Sequence, residues 1–289
     1  MKKILFLSVA LCFSAFHGRS QDVQPKQVNI EARVVEASRF FVEGDLGIAF
    51  GTHAEIYNQT TISTVNETYS STIDAIKARL GTGTPMGIAG GYMFNKNFGV
   101  ELGVEFFQGF DTKVVNSSNG NETKELISAP HLGVIPAVIA QIQAGNVVPY
   151  IKLGIDVGVV NDLEVRTSDA TSKTLSRDYG GLSVGVKTAA GVEFPISRLF
   201  SIFGELDARQ FSYSPMHGKI VTYEVNGQDQ LGTLTTSEKQ WDYVKTISNS
   251  NSTPPDEPMK RLRETHSIDN VGVEFGVRFS FHKGPGKNR

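Results

Sequence analysis

Charged side chains recur at even spacings inside segments that are otherwise apolar and rich in glycine. They are Glu101, Glu105, Lys152, Asp156, Lys187, Glu193, Glu205, Asp207, Arg209, Glu274 and Arg278. Both signs are present, so these groups can pair with one another, and a buried charge left unpaired would be costly. Two chemistries are open to such a set: a structural ion-pair network, or the lining of a transport path. A third candidate is His266-Ser267, a base beside a hydroxyl. Neighbouring residues of a strand point to opposite faces, which makes them a poor nucleophile and base couple. The remaining histidines are scattered, and Cys12 is the sole cysteine, so no metal-ligand spacing exists. The glycines alternate within strands instead of forming a phosphate loop, and no cofactor is expected.

The elements that carry these charges alternate strictly. From Asn270 to Phe281 the sequence reads NVGVEFGVRFSF, with Val271, Val273, Phe275, Val277, Phe279 and Phe281 on one face. Glu274 and Arg278 share the other face with Gly272, Gly276 and Ser280. The same pattern predicts strands at about 41–50, 86–94, 98–107, 128–142, 148–160, 181–194 and 199–213. The fourth is the weakest, because Pro130 and Pro136 interrupt it. The tight turn Asn95-Lys96-Asn97 fixes the register of the hairpin around it, placing Gly91 across from Glu101 and Gly87 across from Glu105. By the same reasoning Lys187 is expected near Glu205 and Asp207, with an ion pair between them.

Long and short connections alternate. Polar loops span about 51–84, 108–127, 161–180 and 214–267, and short turns join the other strands. Within the first loop, Ser71-Thr72-Ile73-Asp74 reads as a capping box followed by Ile76 and Leu80 at helical spacing, which predicts a short helix. The apolar faces can meet either a core or lipid. A soluble sandwich or lipocalin-like barrel would place the charges on a wetted wall, where crowding glycines gain nothing. Aromatic residues also collect at strand ends, as at Phe94, Phe98, Phe194, Phe200, Phe279 and Phe281. These features point to an all-β, eight-stranded, antiparallel up-and-down transmembrane barrel, in which the charged set faces a filled lumen. Slipping the last strand by one residue would put Glu274 and Arg278 into lipid, at roughly 2–4 kcal/mol for an arginine near the midplane.

Residues 1–20 read as a secretory signal, with Lys2 and Lys3 before an apolar run too short to span a bilayer. Residues 21–40 are expected to form a periplasmic segment, 41–282 the barrel, and 283–289 a basic periplasmic tail. Removing Lys2, Lys3 and Arg19 takes the net charge from −2 to −5 (−2 − 3), which is not the balance of a nucleic-acid binder.

The signal, the eight strands, the alternating link lengths and the final Phe-Ser-Phe together resemble the small Gram-negative outer-membrane barrels of the OmpA-transmembrane-domain and OmpX type. The resemblance is architectural and covers nearly all of the mature chain. It implies outer-membrane lipid, with lipopolysaccharide, and the barrel-assembly machinery as partners. It implies long loops outside the cell and both termini in the periplasm. The family usually ends on its last aromatic residue, whereas here His282 to Arg289 follow Phe281. Some small outer-membrane barrels are enzymes of lipid A or of peptides, using rim residues. Here the corresponding rim set would be His266 and His53 near Asp269 or Glu55. The reading favoured by the residues is a non-enzymatic, structural or surface-interaction barrel whose loops bind a host or cell-surface ligand. A narrow pore is the other alternative. The barrel reading predicts heat-modifiable migration: unheated protein extracted in detergent should run differently from boiled protein on a gel. A protein that needs no detergent to stay in solution would refute it.

Overall fold

A computed structural model describes residues 40–65, 68–118, 121–247 and 254–281. The expected signal, the periplasmic segment up to 39 and the tail at 283–289 lie outside them. The organising element is a ring of eight antiparallel strands: β1 (Phe40–Gly51), β2 (Gly83–Met93), β3 (Phe98–Gly109), β4 (His131–Gln141), β5 (Val148–Ser168), β6 (Ser183–Pro195), β7 (Phe200–Tyr213) and β8 (Asn270–Phe281). Each pairs with the next, and β8 returns to pair with β1 from Phe40↔Phe281 to Gly51↔Asn270. The eight-stranded barrel expected from the alternation is therefore present, including the strand interrupted by prolines. Pro136 is tolerated in β4 and still stands opposite Leu102.

Alternation decides which face looks inward. On β1, Val42, Leu46, Ile48 and Phe50 are exposed on the outside, whereas Phe41, Glu43 and Ala49 are buried inside. A girdle of rings surrounds the end of the barrel that carries the short turns, with Phe40 against Tyr92 at 4.7 Å and Phe200 against Phe279 at 5.3 Å. The turns there are closed by side chains. Asn95 Oδ1 accepts from the amides of Asn97 and Phe98, and Ser197 Oγ from those of Leu199 and Phe200.

The long connections are not polar loops. Most of their length continues as strand, forming an outer sheet at the opposite end of the barrel. The expected helix near 71–80 is instead the second arm of a hairpin, Glu55–Val65 paired with Thr68–Ala78. Capping-box spacing lost to β-propensity: the two arms are dense in Thr and Ile, and the partner arm satisfies the backbone that a helix would satisfy internally. Strands Thr112–Ser118 and Asn121–Ser128, the outer part of β5, and Ser172–Tyr179, His217–Val225, Gln240–Val244 and Met259–Leu262 continue this sheet. A short helix does occur in the last connection, at Thr236–Lys239, with Glu238 closing a capping box on Thr235.

Glycines on the inner wall make room for large neighbours. A Cβ on Gly87 would come within 2.6 Å of Asp45 Oδ1, and one on Gly191 within 2.6 Å of the Tyr150 hydroxyl and 2.8 Å of Glu205 Cβ. This is why glycine crowds the charged face. Gly191→Val should therefore lower stability by about 1–3 kcal/mol through overpacking. Gly232→Ala, where a Cβ meets nothing, should leave the urea midpoint of the detergent-folded protein unchanged.

Candidate functional site

Two apolar layers bound the lumen. At the turn end, Phe41, Met93, Ile139, Tyr150 and Phe203 form a floor. At the other end, Ala49, Phe107, Phe211 and Tyr213 from the barrel and Leu163 from the outer part of β5 meet Leu80, Val114, Ile127 and Ile268 from the connections, and Tyr57 and Ile76 of the hairpin pack on this plug. The charged side chains lie between the two layers.

At two positions the ladder sets like charges side by side along the wall. Lys187 stands opposite Arg209, and Glu205 opposite Glu274. Pairing must therefore reach across the lumen. Lys187 bonds Glu105 of β3 and Glu274 of β8, the latter at 2.8 Å. Arg209 of β7 meets Glu105 and, at 3.2 Å, Asp156 of β5. Lys152 of β5 meets Glu43 of β1, Glu101 of β3 at 3.3 Å and Glu205 of β7 at 3.5 Å. Arg278 of β8 joins Glu43 and Glu193 of β6. Of these contacts of lysine and arginine, only that of Arg278 with Glu43 links neighbouring strands. The ion pair expected from Lys187 to Glu205 or Asp207 does not form. The strand ladder gives Lys187 a cation as its neighbour, and its ammonium turns to the far wall instead.

Ten of the eleven charged residues singled out from the sequence enter these ion pairs. Asp207 is brought into the lumen, over Gly272, without an ion pair among the described residues. The sequence reading omitted Glu43 and Asp45, although their parity in β1 matches that of the others. It also omitted Tyr150, whose hydroxyl donates to Glu205 at 2.7 Å, and His131, which stacks on Phe211 at 4.5 Å and lies 3.5 Å from Asp156. In β4 two competing alternations hid His131. Glu43, Asp45, Glu101, Glu105, Asp156, Glu193, Glu205, Asp207 and Glu274 outnumber Lys152, Lys187, Arg209 and Arg278, so each cation serves two or three carboxylates. The cavity left among Asp45, Glu101, Lys152, Lys187, Glu205 and Glu274 is about 40 Å³, the scale of a few waters and too small for a solute.

His266 does not form a nucleophile couple. Its Nδ1 lies 3.0 Å from Glu55 Oε2, and Glu55 also accepts the Ser267 amide at 3.1 Å. No hydrogen bond joins His266 to His53 among the described residues. Burial disfavours the charged imidazole, but the Glu55 carboxylate outweighs burial and holds the His266 pKa above its ordinary value. Burial likewise opposes the Glu55 carboxylate, and the His266 and Ser267 hydrogen bonds outweigh it and lower that pKa. Among the described residues, no three His, Cys, Asp or Glu side chains converge to hold a metal ion.

Residues 9–237 match the family described as outer membrane protein beta-barrel domain. The chain belongs to that family. It is a small Gram-negative outer-membrane β-barrel protein. Among solved structures, Neisserial surface protein A overlaps 84% of this chain and 97% of its own, at 12% identity and a TM-score of 0.37. The outer membrane protein OprG of Pseudomonas aeruginosa overlaps 86% and 98%, at 14% identity and the same score. At that identity and score the likeness adds nothing to what the closed ladder and the family match establish. No curated protein matches the chain.

Two predictions follow from the geometry. Glu105 serves two cations, so Glu105→Gln should cost about 3–5 kcal/mol in urea unfolding. Asp45→Asn, at a carboxylate without an ion pair among the described residues, should cost less than 1 kcal/mol. The contact of His266 with Glu55 is strengthened below the ordinary imidazole pKa and lost as pH rises through the raised one. From the Glu55 side it is strengthened above the ordinary carboxylate pKa and lost as pH falls through the lowered one. Protection of the Ser267 amide from exchange, corrected for intrinsic rates, should therefore peak near about pH 5–6. Glu55→Gln should flatten that profile.

Proposed function

We propose that this protein is a non-conducting, non-enzymatic barrel that holds a rigid β-sheet above the outer membrane for contact with a host or cell-surface ligand. In this reading the long connections are extracellular and both termini periplasmic. Lipid, with lipopolysaccharide, surrounds the wall, and the barrel-assembly machinery inserts the chain. The observation that carries the reading is the sealed lumen: apolar layers at both ends and cross-wall ion pairs between them leave no path for a solute. The outer sheet, by contrast, is open to partners. Among the described residues its end strand Thr68–Ala78 pairs only with Glu55–Val65. The Thr60 amide, opposite Ile73, is donated away from that strand to Asn116 Oδ1 at 2.8 Å, so the backbone groups of Ile73 face the free edge. Free edges of this kind accept an extended segment from a partner. The test pairs planar-bilayer recording with protease treatment of intact cells. The reading expects no stable conductance steps and cleavage within the outer sheet. Large stable steps, or an outer sheet protected in intact cells and cut only after lysis, would contradict it.

A further inference from the structure

The free edge of the outer sheet lacks the usual safeguards against pairing. Bulges, prolines and clustered charges blunt most sheet edges. Here every step from Glu55↔Ala78 to Val65↔Thr68 is in register. Thr68–Ala78 contains no proline, and Asp74 and Lys77 are its only charged residues. From Ser70 to Ala75 every side chain is exposed, Ile73 among them.

The strand also fits itself. Backbone groups face the edge at alternate residues, so Ser71, Ala75 and Lys77 present theirs as Ile73 does. Ile73 is the middle residue of the 11 in the strand. A second copy laid antiparallel, with a two-fold axis through Ile73, therefore finds a partner for every residue. Thr68 meets Ala78, Ser71 meets Ala75 and Thr72 meets Asp74. The edge-facing residues fall opposite one another, which allows about ten backbone hydrogen bonds. Ile73 covers Ile73, and the Asp74 carboxylate meets a hydroxyl. Moving the axis one residue towards Ala78 would set Asp74 against Asp74 and leave the strand ends unpaired.

Chain direction decides where the two barrels lie. Ala78 leads back to the barrel through Leu80, which packs in the plug, whereas Thr68 stands at the far end of the hairpin. Antiparallel pairing sets Ala78 of one copy beside Thr68 of the other, so the barrels stand at opposite ends of the shared sheet. That arrangement suits two facing membranes and not one.

We propose that the edge Thr68–Ala78 pairs with the same edge of a second copy in an apposed membrane, antiparallel about Ile73. The proposal rests on the reading that the outer sheet is extracellular, and it names the cell-surface ligand as the protein itself.

The test is vesicle tethering. The whole protein is reconstituted into vesicles carrying either a donor or an acceptor dye, and energy transfer between the two populations is read. Protease added outside the vesicles checks that the outer sheet faces out, and heat-modifiable migration checks that each variant is folded. Wild-type vesicles should tether, because many copies on each surface multiply a weak contact. Ile73→Lys and Ile73→Asp each set like charges across the axis and should abolish tethering. Mixing Ile73→Lys vesicles with Ile73→Asp vesicles should restore it. Under oxidation Ile73→Cys should give a covalent dimer and Ala75→Cys should not, since residue 73 alone faces itself. Tethering that survives Ile73→Lys, a mixture that stays apart, or equal cross-linking at 73 and 75 would overturn the proposal. Wild-type vesicles that stay apart, with the outer sheet cleaved on intact cells, would overturn it and leave the extracellular reading standing.

Discussion

The structure depends on closure of a narrow ring. Inside a bilayer an unpaired strand edge has no water to turn to, so β8 must return to β1 and every barrel strand must have two partners. With eight strands, the ring is small enough for a lysine or arginine on one wall to reach a carboxylate on another. Closure thus sets the reach, and the reach permits ion pairs for groups that the ladder places opposite a like charge. Lys187 beside Arg209 and Glu205 beside Glu274 would be destabilising in an open sheet. In the closed ring, contacts such as Lys187 with Glu105 tie strands that share no backbone hydrogen bond.

The scarcity of cations shapes the interior. Four basic side chains serve a larger number of carboxylates, so each becomes a junction. The two apolar layers keep these junctions out of bulk water, where the pairs would be weakened by a high dielectric. Glycine on the facing strands provides the space, as Gly191 does beneath Tyr150. Charge, glycine and aromatic content are therefore parts of one packing solution.

Much of this was legible in the residues because a period of two is hard to imitate. The β8 boundaries, Asn270 and Phe281, and the pairings Gly91↔Glu101 and Gly87↔Glu105 follow from alternation and a tight turn. What the sequence concealed is non-local. The partner of Lys187 depends on the diameter of the closed ring, which no hairpin-level argument contains. The hairpin at 55–78 carries a local helix signal that only pairing between its arms overrides. His131 sits where prolines and two competing alternations blur the inward face, and its stacking on Phe211 of β7 joins residues distant in the chain.

The central claim is that side chains from non-adjacent strands pair across the lumen. A double-mutant cycle on Glu193 of β6 and Arg278 of β8 tests it most directly, using Glu193→Gln, Arg278→Met and the double variant in urea unfolding from lipid vesicles. These strands share no ladder, so Glu193 and Arg278 are not a neighbour pair of the sheet. The account predicts a coupling energy of at least about 1 kcal/mol. Effects that add to within about 0.5 kcal/mol would contradict it.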